Sequence, residues 1–315
     1  MKGLRETKEK KIKKKSIKRR YLIIKIKTIV ADTNVWYHLS KNNKKLLDYI
    51  NSKGNLYITP ISFLELISKM SINNKSFNRR KNAIHAIIKY AKGCLPMHEL
   101  VLAGYFGILI KDDINWMDRF RIVRLMENPQ ELENRKVIYT EKHGIESAIV
   151  DIKTITKWRE SLYLRFKKGI IDVINFNIEP HYREQVNVGR IISIKNKDKL
   201  SILDNPKIYE SIISMLVERV KNIAKSYGIE EVNLNEKQVK KAKNKIDCYS
   251  KMYIGYIKDI LKRGSEPDIN DLGDFENFMY LRDDNYMLAT TDKKWIRICN
   301  KIYHNRILDL NPCLN

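Results

Sequence analysis

Tyr21-Leu22-Ile23-Ile24-Lys25-Ile26-Lys27-Thr28-Ile29-Val30-Ala31-Asp32-Thr33-Asn34 is an Ile-rich run that closes in a continuous apolar segment and then in an acid. Such a segment suits a central strand of a parallel sheet, buried on both faces. The strand would deliver one carboxylate, Asp32, to its carboxyl end. Val35, Trp36 and Leu39 then read as a helix, and a second helix over about 44–51 is broken by Gly54. Leu56-Tyr57-Ile58 is a short second strand. Thr59 and Pro60 start a third helix as N-cap and first helical residue. Its apolar side is Ile61, Leu64, Leu66, Ile67 and Met70, with Glu65 in the second turn.

Strand, helix, strand, helix opens a doubly wound α/β sheet. From about 71 to 264 the period changes. Strand candidates there are weak, at 136–140 and 189–194. Helical stripes dominate: Ile155, Trp158, Leu162, Phe166; then Ile208, Ile212, Met215, Val220, Ile223; then Val239, Ala242, Ile246, Tyr249, Tyr253, Tyr256, Ile260. The α/β pattern resumes near Pro267. Asn270 reads as the N-cap of a helix over 271–281, followed by a strand at 286–290, a helix at 295–301 and a last strand at 306–310. The expected architecture is an α/β domain with a central parallel sheet, built from residues 21–72 and 266–315. A mostly helical insertion over 73–265 splits it, and a basic arm over 1–20 precedes it.

The acids fall on one predicted edge of that sheet, the carboxyl ends where open α/β sheets present ligands. Asp32 follows the first strand, and Asp292 follows Met287-Leu288-Ala289-Thr290-Thr291. Glu65 lies in the helix after the second strand. Asp271 and Asp274 are three apart and share a helix face. Crowded carboxylates call for a cation to offset their repulsion, and hard divalent ions such as Mg²⁺ take oxygen donors. A bound ion of this kind activates water and neutralises charge developing on a phosphate. Each acid also has an ordinary alternative: Asp32 as a helix cap, Glu65 as the partner of Ser62 in a capping box, Asp271 at a helix dipole, Asp292 in a solvated turn.

These residues resemble the PIN-domain nucleases. The resemblance rests on Ile29-Val30-Ala31-Asp32-Thr33-Asn34, Thr59-Pro60-Ile61-Ser62-Phe63-Leu64-Glu65-Leu66, Asn270-Asp271-Leu272-Gly273-Asp274 and Leu288-Ala289-Thr290-Thr291-Asp292-Lys293, in the family's order. The step from Asp274 to Asp292 is similar to the family's spacing of third and fourth acids. The resemblance implies a three-layer PIN-like domain and a VapC-like activity: hydrolysis of phosphodiester bonds, most often in RNA, with Mg²⁺ or Mn²⁺. It implies Asp32, Glu65, Asp274 and Asp292 as catalytic metal-binding acids, with Asp271 replacing or assisting Asp274. Thr33 and Asn34 would orient Asp32, and Thr290 would support the metal or its water. Many bacterial members are toxins restrained by an antitoxin, so a protein inhibitor and a homodimer are expected partners. The long insertion departs from compact members of the family.

The charge balance agrees with a polyanionic partner: 61 Lys+Arg against 37 Asp+Glu give a net charge of +24. Residues 1–20 alone hold 11 Lys/Arg. Arg79, Arg80, Lys241 and Lys245 are candidate nucleic-acid-binding residues. Tyr249, Tyr253 and Tyr256 are read as packing residues in preference to base-stacking ones, because tyrosines in an amphipathic stripe usually pack. The histidines show no metal-binding spacing, and the acids Glu179 and Glu184 beside His181 compel no second site. Four scattered cysteines suggest neither zinc nor disulfides and fit a reducing cytoplasm. The N-terminus reads as lacking a signal peptide, and the apolar run at 100–110 is too short to cross a bilayer. The expected function is a metal-dependent endoribonuclease acting in RNA processing, as a toxin or in defence. The competing expectations are a structure-specific, flap-type DNA nuclease and a nucleic-acid-binding protein without catalysis.

Overall fold

The computed structural model describes residues 26–68, 70, 73–112, 114–127, 139–141, 144–146, 152–177 and 200–314. The basic arm, the strand candidate at 189–194, and the residues His143, Glu179, His181 and Glu184 lie outside the described residues.

The architecture is α/β, with a small sheet whose four strands are all parallel. In chain order the elements begin with β1 (Lys27–Ala31), α1 (Thr33–Leu39), α2 (Lys44–Lys53), β2 (Gly54–Tyr57) and α3 (Pro60–Ile67). Next come α4 (Asn74–Tyr90), α5 (His98–Tyr105), α6 (Trp116–Leu125) and a hairpin of β3 (Tyr139–Glu141) and β4 (Gly144–Glu146). The long helices α7 (Ile152–Asn177), α8 (Pro206–Ser226) and α9 (Glu236–Arg263) follow. The chain returns to the sheet through α10 (Ile269–Glu276), β5 (Tyr286–Thr290), α11 (Lys293–Ile302) and β6 (Ile307–Asp309).

The sheet order is β2-β1-β5-β6. β1 therefore pairs with β2 on one side and with β5, more than 250 residues later in sequence, on the other: Ile29 faces Leu56 and Met287. Ile29, Val30 and Ala31 are completely buried, so both faces of β1 are covered and its unbroken apolar run is explained. The reversal of strand order on either side of β1 creates a switch point at the carboxyl ends of β1 and β5. β2 begins at Gly54 because a Cβ there would stand 2.2 Å from the Lys27 carbonyl oxygen.

Two local expectations are corrected. The N-cap before α10 is Asp268, not Asn270: its carboxylate accepts from the Asn270 N–H at 2.7 Å. The helix ends at Glu276 and tightens into a 3-10 turn over Asn277–Tyr280 instead of running on to 281. The hairpin strand Tyr139–Glu141 overlaps only the end of the strand expected at 136–140. One hydrophobic cluster runs from Val30 and Leu288 in the sheet to Leu162, Ile212 and Tyr253 in the long helices. Tyr249, Tyr253 and Tyr256 are buried in it, packed on Phe275. No described helix is long and apolar enough to cross a membrane.

Candidate acidic site

Asp32 stands at the N-cap of α1, one residue past β1, and is 1% exposed. Its Oδ1 accepts from the Asn34 backbone N–H at 3.3 Å, and Asn34 Nδ2 reaches Oδ2 at 3.5 Å. The Thr290 hydroxyl, at the end of β5, donates to Asp32 Oδ2 at 2.7 Å and accepts from the Asp292 N–H at 3.0 Å. Thr290 thus joins the ends of the two strands and fixes one oxygen of Asp32. Thr33 does not orient Asp32. It sits at the first turn of α1, facing α3, and its hydroxyl donates to Glu65 Oε2.

Glu65 reaches the group because α10 lets it approach. A Cβ at Gly273 would lie 1.8 Å from Glu65 Oε1, so only glycine admits the carboxylate against this helix. The next residue, Asp274, is buried beside Asp32 and Glu65. Burial holds its carboxyl well above the ordinary range. The charges of Asp32 and Glu65 and a hydrogen bond with Asp32 push it further the same way, while Trp295 opposes them. Trp295 Nε1 donates to Asp274 Oδ2 at 3.0 Å. Asp274 therefore binds its proton more tightly than a free carboxyl does.

Asp271 and Asp292 are placed differently. Asp271 accepts from the Tyr256 hydroxyl at 2.5 Å and pairs with Lys294, tying α9, α10 and α11 together. Asp292 caps α11, its Oδ1 accepting from the Lys294 N–H at 2.7 Å. Its carboxylate is linked to Asp32 only through its own backbone and Thr290. Of the five acids, Asp274 is the one the structure sets beside two others, hydrogen-bonded with Asp32 and within reach of the charge of Glu65.

Cations border the group. Arg80 donates to the Glu65 carbonyl at 3.3 Å and to the Tyr37 hydroxyl at 3.0 Å, with Arg79 over the Tyr37 ring at 4.4 Å. Arg159, from α7, lines a small cleft with Glu65 and Gly273 and donates to Asn270 at 3.1 Å. Lys245 lies over the Tyr105 ring, beside Lys241 and Arg282. Arg282 stacks on Tyr286 at the start of β5, so this pair sits toward the amino end of the sheet, away from the acids. Trp295, Tyr37 and Arg159 were not singled out from sequence. Only Trp295, three residues beyond Asp292, carried a positional hint.

The donor set is all carboxylate oxygen, which fits a hard divalent cation. As they stand, however, no three His, Cys, Asp or Glu side chains among the described residues are arranged to hold one ion. The reason is visible in the partners: Asp32 is turned to Thr290 and Asn34, Glu65 to Thr33, and Asp274 to Trp295. No family model matches the chain, and comparisons with curated proteins and with solved structures also gave no match.

Proposed function

We propose that this chain is a PIN-like, divalent-metal-dependent nuclease that hydrolyses phosphodiester bonds, with RNA as the favoured substrate. The observation that carries the reading is the junction of Asp32, Glu65 and Asp274. These acids come from three separated segments and meet at the switch point of a parallel sheet, where the neighbours of Asp274 raise its carboxyl pKa. Burying Asp32 and Asp274 with Glu65 close by is costly unless something positive offsets them. Mg²⁺ or Mn²⁺ would supply that charge and an activated water, with Asp32, Glu65 and Asp274 holding the ion and Asp292 beside them. Thr290 and Asn34 keep Asp32 in place; Trp295 fixes one oxygen of Asp274; Arg80 and Arg159 border Glu65.

A second reading, nucleic-acid binding without turnover, is favoured by those same arginines. They already offset part of the acidic charge near Glu65. The readings separate in one assay. Cleavage of RNA, single-stranded DNA and branched DNA is followed with Mg²⁺, with Mn²⁺ and with chelator. The nuclease reading expects metal-stimulated RNA cleavage that Asp32→Asn and Asp274→Asn each reduce at least a hundredfold, the size of loss seen when a transition-state contact is removed. Preferential cutting of branched DNA would move the assignment to a flap-type enzyme. Binding with no turnover on any substrate would leave the second reading.

A further inference from the structure

A groove of about 460 Å³ lies between α9 and the C-terminal half of α11. Five basic and two acidic side chains line it: Lys251, Lys258, Lys262, Arg297 and Lys301 against Asp204 and Asp259. Its floor is apolar, with Ile254, Gly255, Ile298 and Ile302. Gly255 sets the width, because a Cβ there would meet Ile298 at 2.8 Å and Ile302 at 2.9 Å. Part of this charge is paired: Lys258 bonds Asp204 at 2.5 Å and Lys251 bonds Asp247, just outside the lining, at 3.0 Å, yet the lining keeps five cations to two acids. Asp259 is buried and held by both Arg297, at 2.6 Å, and Arg263, at 2.9 Å; Arg297 itself remains 56% exposed.

The groove and the acidic site lie at opposite ends of one helix, α11. α11 starts immediately after Asp292, and Lys293, Arg297 and Lys301 follow at positions i, i+4 and i+8, all exposed. Residues at this spacing stack along one side of a helix. They span about 12 Å at 1.5 Å per residue. At about 3.4 Å of rise per nucleotide in a strand, that is the length of roughly three to four nucleotides. An acidic centre at one end and a row of cations leading away from it match a chain of phosphates that extends past a reacting one.

We infer that the face of α11 bearing Lys293, Arg297 and Lys301, with the adjoining α9–α11 groove, is the track for the nucleic-acid strand leaving the acidic site. The inference rests on the nuclease reading for its direction, since that reading makes the acids the reacting centre. The charge pattern favours a polyanionic strand over an acidic protein segment, because Lys293, Arg297 and Lys301 repeat at a fixed four-residue step along α11, as the phosphates of a strand repeat along its backbone.

The test uses the full chain in chelator, with labelled single-stranded RNA of graded length and fluorescence anisotropy over a salt series. Replacing Lys293, Arg297 and Lys301 by Ala should flatten the dependence of log K on log salt by about 2, from three contacts at about 0.7 each. The deficit should vanish for RNAs too short to pass the reacting centre by three or four nucleotides. Lys293→Ala with Lys301→Ala, neither of which touches Asp259, guards against a folding defect from losing Arg297, and Arg297→Lys should restore binding. Unchanged affinity and salt slope in the triple variant would overturn the track. So would loss of binding on Lys241→Ala with Lys245→Ala instead, or capture of poly-glutamate with no RNA bound. The two readings fail separately. Groove-dependent binding without metal-stimulated cleavage keeps the surface and removes hydrolysis, whereas cleavage with a groove-independent salt slope does the opposite.

Discussion

At the scale of single residues, Asp274 is the acid whose surroundings alter its chemistry most. Its carboxyl is held above the ordinary range by burial first, then by Asp32 and Glu65. The folded protein thus binds a proton that the unfolded chain releases near pH 4. Stability from this group is present at low pH and falls as pH rises through the window up to the folded pKa, by about 1.4 kcal/mol per pH unit while it lasts. Asp274→Asn keeps an acceptor for Trp295 and removes the titration. Without divalent ions, the variant should match the parent in acid and melt higher than it at alkaline pH. On the proposed metal-dependent reading the order should invert with Mn²⁺, since Asp274→Asn offers no carboxylate to exchange a proton for the ion, and calorimetry in buffers of different ionisation enthalpy should show that proton leaving. A parent whose melting does not change relative to Asp274→Asn as pH rises above about 4 would contradict the raised carboxyl. Gly273 makes a second prediction. Gly273→Ala drives a Cβ into Glu65 Oε1, the end of a flexible side chain, so the fold should survive while the carboxylate moves off Thr33. Activity should fall far more than the melting temperature, and shortening Glu65 to Asp in the same chain should restore part of it.

At the scale of elements, α10 carries two kinds of acid on its two sides. Asp274 faces the sheet edge, while Glu276 joins α10 to α5, α8 and α9. Burial alone would raise Glu276, but Arg219 and then His98 hold it below the usual carboxylate range. Arg219 contacts both of its oxygens, at 3.0 and 3.3 Å, and the Tyr249 hydroxyl donates at 3.2 Å. Glu276→Gln would leave Arg219 without its main counter-charge, at a cost of about 3 kcal/mol. Urea unfolding should show that loss as a lower midpoint with an unchanged slope. His98 adds a pH dependence. Burial pushes its pKa down despite Glu276, so the folded state resists the proton that the unfolded chain takes up below about pH 6.5. Its contribution is present above that value and lost as pH falls through it. His98→Gln should soften acid destabilisation between pH 6.5 and pH 5. The elements differ in how far sequence revealed them. β1, β5 and α3 were legible because each is written locally, in an unbroken apolar run or in Thr59 followed by Pro60. The cap at Asp268 was misplaced because Asp268 and Asn270 are both good caps two residues apart. The contacts of Thr33 with Glu65, Trp295 with Asp274 and Arg219 with Glu276 were invisible, because each depends on how separate helices face one another.

At the scale of the whole molecule, the helical middle of the chain and the two sheet halves share one hydrophobic cluster. An unbroken line of rings connects them: Phe166 of α7 lies 5.1 Å from Phe275 of α10, and Phe275 lies 5.9 Å from Trp295 of α11, the residue that holds Asp274. A segment joined to the core in this way has no separate apolar interior to keep when the core melts. Heating should therefore unfold sheet and helices in one cooperative transition. The four tryptophans allow the test, since Trp158 reports α7 and Trp295 reports the acidic site. Trp36→Phe breaks no hydrogen bond, because the buried Nε1 has no partner, and its cost is the space the smaller ring leaves. Variants keeping only Trp158 or only Trp295 should each follow the transition that circular dichroism reports for the same protein. Phe166→Ala should lower that transition, by about 3–5 kcal/mol of stability for a buried ring, for both reporters alike. If α7 instead melted first while Trp295 stayed buried, the helical middle would be an independent insertion domain. The acidic site would then be positioned by the two sheet halves alone.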